Sequence, residues 1–137
     1  MWWIYALLSA FFAALTAIFA KTGIKNINTD LAVAIRTIVI LIMAWGIAFF
    51  RGGTNYIHLL SKNNIMFLTF SGITTGLSWI FYFQALSIGK VSQVAPVDKL
   101  SLALTVIFAV LFLGESLTFK TAVGASCIVI GTLVMIL

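Results

Sequence analysis

The chain has 137 residues, of which 63% are hydrophobic and only 8% are charged, and its formal net charge is +5. A soluble domain needs more charged side chains than this to keep its surface hydrated, so the composition excludes an ordinary soluble globular protein. The eight basic residues are scattered singly and form no patch. This argues against nucleic acid as a partner and favours membrane lipid with anionic headgroups.

Five apolar segments follow one another along the chain. They cover residues 2–20, 31–50, 65–88, 91–113 and 119–137. Each is close to the roughly 20 residues that an α-helix needs to cross a bilayer. We therefore predict an all-α integral membrane protein, with five transmembrane helices in one domain that covers residues 1–137. We expect a multi-pass protein of the inner membrane of a prokaryotic cell.

The first segment has the length of a secretory signal peptide, but no Lys or Arg precedes its apolar run. A cleaved signal peptide needs a positively charged start. Trp2, Trp3 and Tyr5 instead form the kind of aromatic belt that is found at membrane interfaces. We expect this segment to be a retained helix.

Residues suited to catalysis or metal binding are sparse. Cys127 is the only cysteine and His58 the only histidine, so the sequence indicates neither a disulfide framework nor a metal site. It also has no glycine-rich phosphate loop and no pairing of a nucleophile with a base. We predict no enzymatic activity, no metal and no cofactor.

Five spans place the two ends of the chain on opposite sides of the membrane. The loops on the C-terminal side, named side A, hold Lys21, Lys25 and Lys90, and those on the N-terminal side, named side B, hold Arg51, Lys62 and Lys120. Because loop Lys and Arg residues set orientation, this count of three against three favours dual topology. Including Arg36 and Lys99, which lie within helices on the A half, gives five against three.

The loops carry signals for helix ends. The sequence NTD at 28–30 offers a cap for the second helix, and Ser92 is a candidate cap for the fourth. Pro96 lies early enough in the fourth helix to be tolerated there or to kink it. The sequence GES at 114–116 ends that helix.

Small and polar residues mark the helix faces that pack or line a cavity in a membrane protein. The third helix carries Ser71, Thr75, Ser78 and Tyr82 at spacings of four, three and four, which places them on one face. This row favours a wet or ligand-lined face, and Gly72 and Gly76 beside it form a close-approach motif. We predict five cavity-lining side chains: Ser9, Thr16, Ser71, Ser101 and Thr105.

Five residues able to hold a polar ligand share one predicted depth: Arg36, Trp79, Tyr82, Asp98 and Lys99. Arg36 and Asp98 each lie six residues past the start of their helix, about 9 Å below side A. The third helix runs in the opposite direction, which brings Tyr82 to the same depth and Trp79 one turn deeper. Charges inside a membrane span commonly mark a substrate or ion pathway.

Consecutive residues on a helix point about 100° apart, so we expect Asp98 and Lys99 not to neutralise each other. Asp98 is then free to pair with Arg36 across helices, while Lys99 faces a cavity. An alternative is a purely structural ion pair that locks the second helix to the fourth, with Lys99 snorkelling to the surface.

The run ALSIGKVSQVAPVDKLSLALTVIFAVLFLGE at 85–115 carries a family resemblance. It has AL and a glycine before a short loop, AP early in a long apolar helix, and LGE at the end of that helix. In these features it resembles an EamA-type repeat of the drug/metabolite transporter superfamily. Most relatives carry two such five-helix repeats, inverted with respect to each other, whereas this chain has one.

The resemblance implies a secondary transporter that moves small metabolites by alternating access between two inverted repeats. Here a second copy would supply the inverted repeat as an antiparallel homodimer, which the balanced loop charges permit. An anionic, zwitterionic or aromatic substrate, for example an amino-acid-like one, would be bound by Arg36, Thr75, Ser78, Trp79, Tyr82 and Lys99. Asp98 would couple transport to protons or form the ion pair.

Two other readings remain open. A non-transporting subunit or scaffold would pack its glycine faces against a larger membrane complex. A cation exporter of the small multidrug-resistance type is the other, although those proteins carry an acid in their first helix and this chain has none there. A cysteine placed at Ser78 or Thr75 distinguishes a transporter from a scaffold. A transport cavity would leave the cysteine reachable by water-soluble reagents, whereas a packing face would protect it.

Overall fold

The computed structural model describes the whole chain, Met1–Leu137, and is entirely helical. The helices are α1 (Trp2–Gly23), α2 (Thr29–Phe50), a short 3₁₀ helix (Gly53–Leu59), α3 (Lys62–Ile88), α4 (Val91–Asp98), α5 (Leu100–Leu113) and α6 (Phe119–Ile136). The helices α4 and α5 together form one span, Val91–Leu113, so five helical segments are long and apolar enough to cross a membrane. The prediction of five such helices is confirmed.

The outer surface of these helices is apolar. Trp2 and Tyr5 at the start of α1 are 80% and 77% exposed, and Phe12 and Phe19 further along α1 are exposed as well. Exposed aromatic and aliphatic side chains would be costly in water and are favourable against lipid. This surface fits a multi-pass membrane protein.

The chain forms two compact units. The first comprises Met1–Ile18 and Ile88–Leu137, and the second comprises Phe19–Ser87. In the second unit, Phe83 and Leu86 near the C-terminal end of α3 are buried. The first unit holds α4, α5 and α6, and Thr132 of α6 is buried there.

The helix ends follow the local sequence with one exception. The Asn28 side chain caps α2 by accepting hydrogen bonds from the backbone N–H groups of Asp30 and Leu31. Gly114 closes α5 in the left-handed conformation. The prediction that Ser92 caps the fourth span is wrong, because the helix already begins at Val91 and the capping position is Lys90.

The fourth span is interrupted between α4 and α5. Proline lacks a backbone N–H and crowds the preceding turn, so Pro96 weakens the helix around it. Three residues later the N–H of Lys99 is shared between the carbonyls of Ala95 at 3.3 Å and Pro96 at 3.0 Å. The carbonyl of Lys99 then accepts from Leu102, again three residues on, at 3.0 Å. This tighter turn, typical of a hinge within a helix, separates the two halves of the span.

Two glycines with positive φ should be sensitive to substitution. Gly52 (φ 71°) and Gly114 (φ 67°) adopt the left-handed conformation, in which a Cβ costs about 1–2 kcal/mol. We expect Gly52→Ala and Gly114→Ala to lower the thermal unfolding temperature in detergent.

Gly46→Ala is the matched control, because Gly46 lies inside α2 and an added Cβ would meet nothing within 4 Å. Alanine has a higher helix propensity than glycine, so the unfolding temperature of the Gly46→Ala variant should equal or exceed that of the wild type. A loss at Gly46 as large as at Gly114 would contradict the assignment of backbone strain.

Candidate functional site

An arginine of α2 lies on the aromatic face of α3. The Cζ atom of Arg36 is 3.4 Å from the centroid of the Trp79 ring and 5.9 Å from that of Phe83. A guanidinium stacked on an indole gains a cation–π interaction, which contributes about 2 kcal/mol when it is shielded from water. The stacking places a fixed positive charge inside the second unit.

The ring beneath Arg36 is held by its neighbours on α3. The Trp79 ring contacts Tyr82 edge-on, with centroids 5.5 Å apart, and Phe83 in a tilted edge contact at 5.7 Å. Spacings of three and four residues bring these side chains to one face of the helix. Phe83 is buried, so the indole has little freedom to rotate away. We name Arg36, Trp79, Tyr82 and Phe83 the arginine–aromatic cluster.

The cluster leaves the edge of the guanidinium for another ligand. Stacking occupies a face of the planar group, while its N–H donors point outward in the plane. That fork matches the two oxygens of a carboxylate or phosphate. The cluster is therefore chemically suited to bind an anion beside an aromatic surface.

Polar contacts tie the helix ends together next to the cluster. The Thr29 hydroxyl donates to the Gln84 side-chain oxygen at 2.8 Å, which joins the start of α2 to α3. The Lys21 ammonium of α1 donates to the backbone carbonyl of Leu86 near the end of α3, where the helix carbonyls lack partners within the helix. The same end of α3 thus holds both the cluster and these closing contacts.

Asp98 and Lys99 form an ion pair with each other at 3.0 Å. The prediction that helix geometry keeps them from neutralising each other is wrong. The reason is the long, flexible lysine side chain, which lets the ammonium reach the neighbouring carboxylate across the angle between the two positions. The pair is partly open, since 34% of the Asp98 side chain and 52% of the Lys99 side chain are exposed.

Thr132 joins α6 to the interruption and was missed in the sequence reading. Its hydroxyl donates to the Pro96 carbonyl at 3.2 Å, so this carbonyl accepts from both Thr132 and Lys99. Sequence offers a weak signal for this contact, because a threonine beside Gly131 also fits ordinary helix packing. Phe83, Gln84 and Lys21 were missed as well.

Comparison with known proteins shows the family of this chain. The EamA-like transporter family matches residues 1–137. The chain belongs to the EamA-like transporter family. This EamA-family chain is also similar to the "Uncharacterized transporter in cobO 3'region" of Sinorhizobium sp, with 46% identity over 134 residues, or 98% of this chain and 95% of that protein. No solved structure gives a significant match.

The EamA-family chain brings the predicted site residues together in two groups. Arg36, Trp79 and Tyr82 meet in the arginine–aromatic cluster, and Asp98 and Lys99 meet at the helix interruption. Each group contains a positive charge within a span. That the two groups share one layer, and that Arg36 pairs with Asp98, stay predictions.

The hydroxyls predicted to line a cavity are largely satisfied within their own helices. Thr75 donates to the Ser71 carbonyl at 2.7 Å, Thr105 to the Ser101 carbonyl at 2.8 Å, and Thr16 to the Phe12 carbonyl at 2.8 Å. Such back-bonding lets a hydroxyl face lipid, a protein or a cavity at little cost. Ser9 and Ser78 are exposed on their helices. Their role in lining a cavity stays a prediction.

The stacking of Arg36 on Trp79 can be measured by a double-mutant cycle. We expect Arg36→Gln and Trp79→Leu together to cost about 1 kcal/mol less than the sum of the single changes, because each already removes the same contact. Reversible unfolding in mixed micelles gives the free energies.

Trp45→Leu combined with Arg36→Gln provides the control cycle. Trp45 lies nine residues further along α2, about 13 Å away, so these two changes should add independently. Additivity in both cycles would mean that the stacking contributes nothing in the membrane-like environment.

Proposed function

We propose that this EamA-family protein is a secondary transporter that moves small anionic or zwitterionic metabolites by alternating access. The observation that carries the proposal is the Arg36 guanidinium held 3.4 Å above the Trp79 ring within spanning helices. The protein acts without enzymatic chemistry or cofactor in this proposal. The family and its transporter-named relative support transport.

The charge of Arg36 calls for an anion. Asp30 is the only acidic residue between residues 19 and 87, and it lies six residues before Arg36, about 9 Å along α2. An aromatic face attracts a cation but does not neutralise it. A substrate carboxylate or phosphate at the free edge of the guanidinium would complete the compensation inside the membrane.

The surroundings of Arg36 define the rest of the substrate. Trp79 and Tyr82 offer aromatic surface for an apolar or aromatic portion. Thr75 lies one helical turn before Trp79, and Ser78 lies one turn before Tyr82. The oxygen atoms of both are able to accept from a substrate donor. This combination suits an amino-acid-like molecule with an acidic end, an amino group and an apolar side chain.

Asp98 is the proposed coupling group. Its carboxylate now holds the Lys99 ammonium at 3.0 Å. Protonation of Asp98 would release Lys99 as a second positive group for a substrate anion. Proton and substrate binding would then favour each other, as symport of the substrate with a proton requires.

A second, antiparallel copy would supply the inverted repeat that alternating access uses. The relative matches over 95% of its own length, so it too is about as long as one five-helix repeat. On α3, residues 62–78 are all exposed, and added Cβ atoms on Gly72 and Gly76 would meet nothing within 4 Å. This part of α3 is open to the second copy, and we place the dimer in the inner membrane of a prokaryotic cell.

The balanced loop charges predict insertion in both orientations. Reporters fused after Leu137, one active only in the cytoplasm and one only outside it, should both give signal. Adding two lysines to one side-B loop should shift the signal strongly to one reporter, because loop Lys and Arg residues set orientation. A single clean orientation of the unmodified chain would exclude the homodimer and require a separate inverted partner.

The substrate class is tested by thermal stabilisation of the purified protein with amino acids, nucleosides, organic anions and organic cations, since a ligand of the folded state raises its stability. We expect anionic or zwitterionic ligands to stabilise it. Arg36→Gln should weaken their binding about tenfold or more, as loss of a charged hydrogen bond would.

Lys99 has its own pair of variants. Lys99→Arg should fold normally but bind more weakly, because a planar fork replaces a compact ammonium, and Lys99→Met should abolish binding. Lys120→Gln, which removes a charge at the start of α6, is the matched control and should bind normally. Stabilisation by organic cations alone would point to a cation exporter, and unchanged binding by Arg36→Gln would refute the anion site.

A further inference from the structure

A groove of about 300 Å³ lies between the last turns of α2 and the 3₁₀ helix. It is lined by Ala44, Trp45, Ala48, Gly53, Thr54 and Ile57. All of these belong to the second unit, and none of them belongs to the arginine–aromatic cluster. The groove is thus separate from the proposed transport site.

Small residues create the groove. Ala44 and Ala48 are one helical turn apart on α2, so they leave a depression beside the Trp45 ring. The chain turns back at Gly52, which has φ 71°, and the 3₁₀ helix then approaches α2 closely. A Cβ on Gly53 would lie only 3.3 Å from the Ala48 carbonyl oxygen. Glycine at this position therefore lets the 3₁₀ helix form one wall.

The groove is apolar and lies at the end of a membrane span. Among its lining side chains only Thr54 has a hydroxyl and Trp45 an indole N–H. Phe50 is the last residue of α2, so the groove extends from the span toward the membrane boundary. Tyr56 and Leu59 of the 3₁₀ helix are exposed, as expected for a segment that rests in the interfacial layer.

The chain segment that forms one wall of the groove also carries basic residues. Arg51 directly follows α2, His58 lies in the 3₁₀ helix, and Lys62 is the first residue of α3. Residues 51–64 contain no acidic side chain, and Arg51 is exposed. An apolar groove beside an uncompensated basic segment matches a molecule with an apolar chain and an anionic head.

We propose that this groove binds one anionic phospholipid, with an acyl chain along Ala44, Trp45 and Ala48 and the phosphate beside Arg51. An acyl chain needs no hydrogen-bond partners, which suits the lining, whereas a peptide segment would bring backbone groups that the groove cannot satisfy. Basic residues at the membrane surface attract anionic headgroups. The site would anchor the α2–α3 connection to the bilayer, independently of what the protein transports.

Tryptophan quenching by brominated lipids tests the proposal on the full chain in vesicles. Quenching is measured in two kinds of vesicle. One contains brominated phosphatidylglycerol diluted in phosphatidylcholine, and the other contains brominated phosphatidylcholine diluted in phosphatidylglycerol. The difference between the wild type and Trp45→Phe isolates the Trp45 signal. We expect the association constant at Trp45 to favour phosphatidylglycerol about fivefold, as one basic contact would produce.

Three comparisons make the result specific. The Trp2 and Trp3 signal, obtained from a Trp2→Phe/Trp3→Phe variant, should show a clearly smaller preference. Arg51→Gln should remove the preference at Trp45, whereas Lys120→Gln, expected on the same side of the membrane, should retain it. Ala48→Leu, which fills the groove, should reduce quenching of Trp45 by both lipids.

Several outcomes would overturn the proposal. An equal preference at Trp45 and at the two N-terminal tryptophans would show only general attraction of anionic lipid to a basic protein. Trp45 shielded from both brominated lipids would show that a protein covers the groove. If the preference for phosphatidylglycerol survived Arg51→Gln, the proposed contact between Arg51 and the headgroup would be refuted. This test does not depend on whether Ala48→Leu folds.

Discussion

The stacking of Arg36 on Trp79 is the interaction on which the proposed site depends. A guanidinium cannot lose its proton to escape a poorly hydrated environment, so the protein has to compensate its charge. Here the indole face, with its centroid 3.4 Å from the guanidinium carbon, supplies part of that compensation. Tyr82 and Phe83 hold the ring in place. The cluster is thus organised before any ligand arrives, and the edge of the guanidinium is the part left for that ligand.

Several polar groups elsewhere in the spans have partners within the same helix or at the next residue. Thr75 and Thr105 donate to carbonyls one turn back in their own helices, and Lys99 reaches its immediate neighbour Asp98. Such contacts cost little chain entropy and do not depend on another helix. Because a hydroxyl can be satisfied within its own helix, a row of hydroxyls is weaker evidence for a cavity than the arginine–aromatic cluster. The contact from Thr132 to Pro96 is an exception, because it joins two helices.

Sequence reasoning predicted what depends on length, hydropathy and helical spacing. The five spans follow from the length and hydropathy of the apolar segments, and the cap of α2 follows from the polar residues at 28–30. Counting residues along the helices gave Arg36, Trp79 and Tyr82 one predicted depth, but it did not predict that Arg36 stacks on Trp79. The ion pair of Asp98 with Lys99 was not predicted, because angular spacing alone does not account for how far a flexible lysine side chain reaches. Thr132 was missed for a related reason: its contact requires the rotation of one helix about its axis relative to another, which a hydroxyl in an apolar segment does not specify.

The division of the fourth span has a mechanical consequence. The helix α4 has only eight residues, about 12 Å of rigid backbone, and a helix this short has little stability of its own. Its C-terminal end is the turn at Lys99, and along its length it packs on α6, where the Thr132 hydroxyl donates to the Pro96 carbonyl. Bending at the turn would change the packing of α4 on α6, while α5 could keep its own contacts with α6. A rearrangement at side A would then displace a few residues rather than an entire membrane-spanning rod.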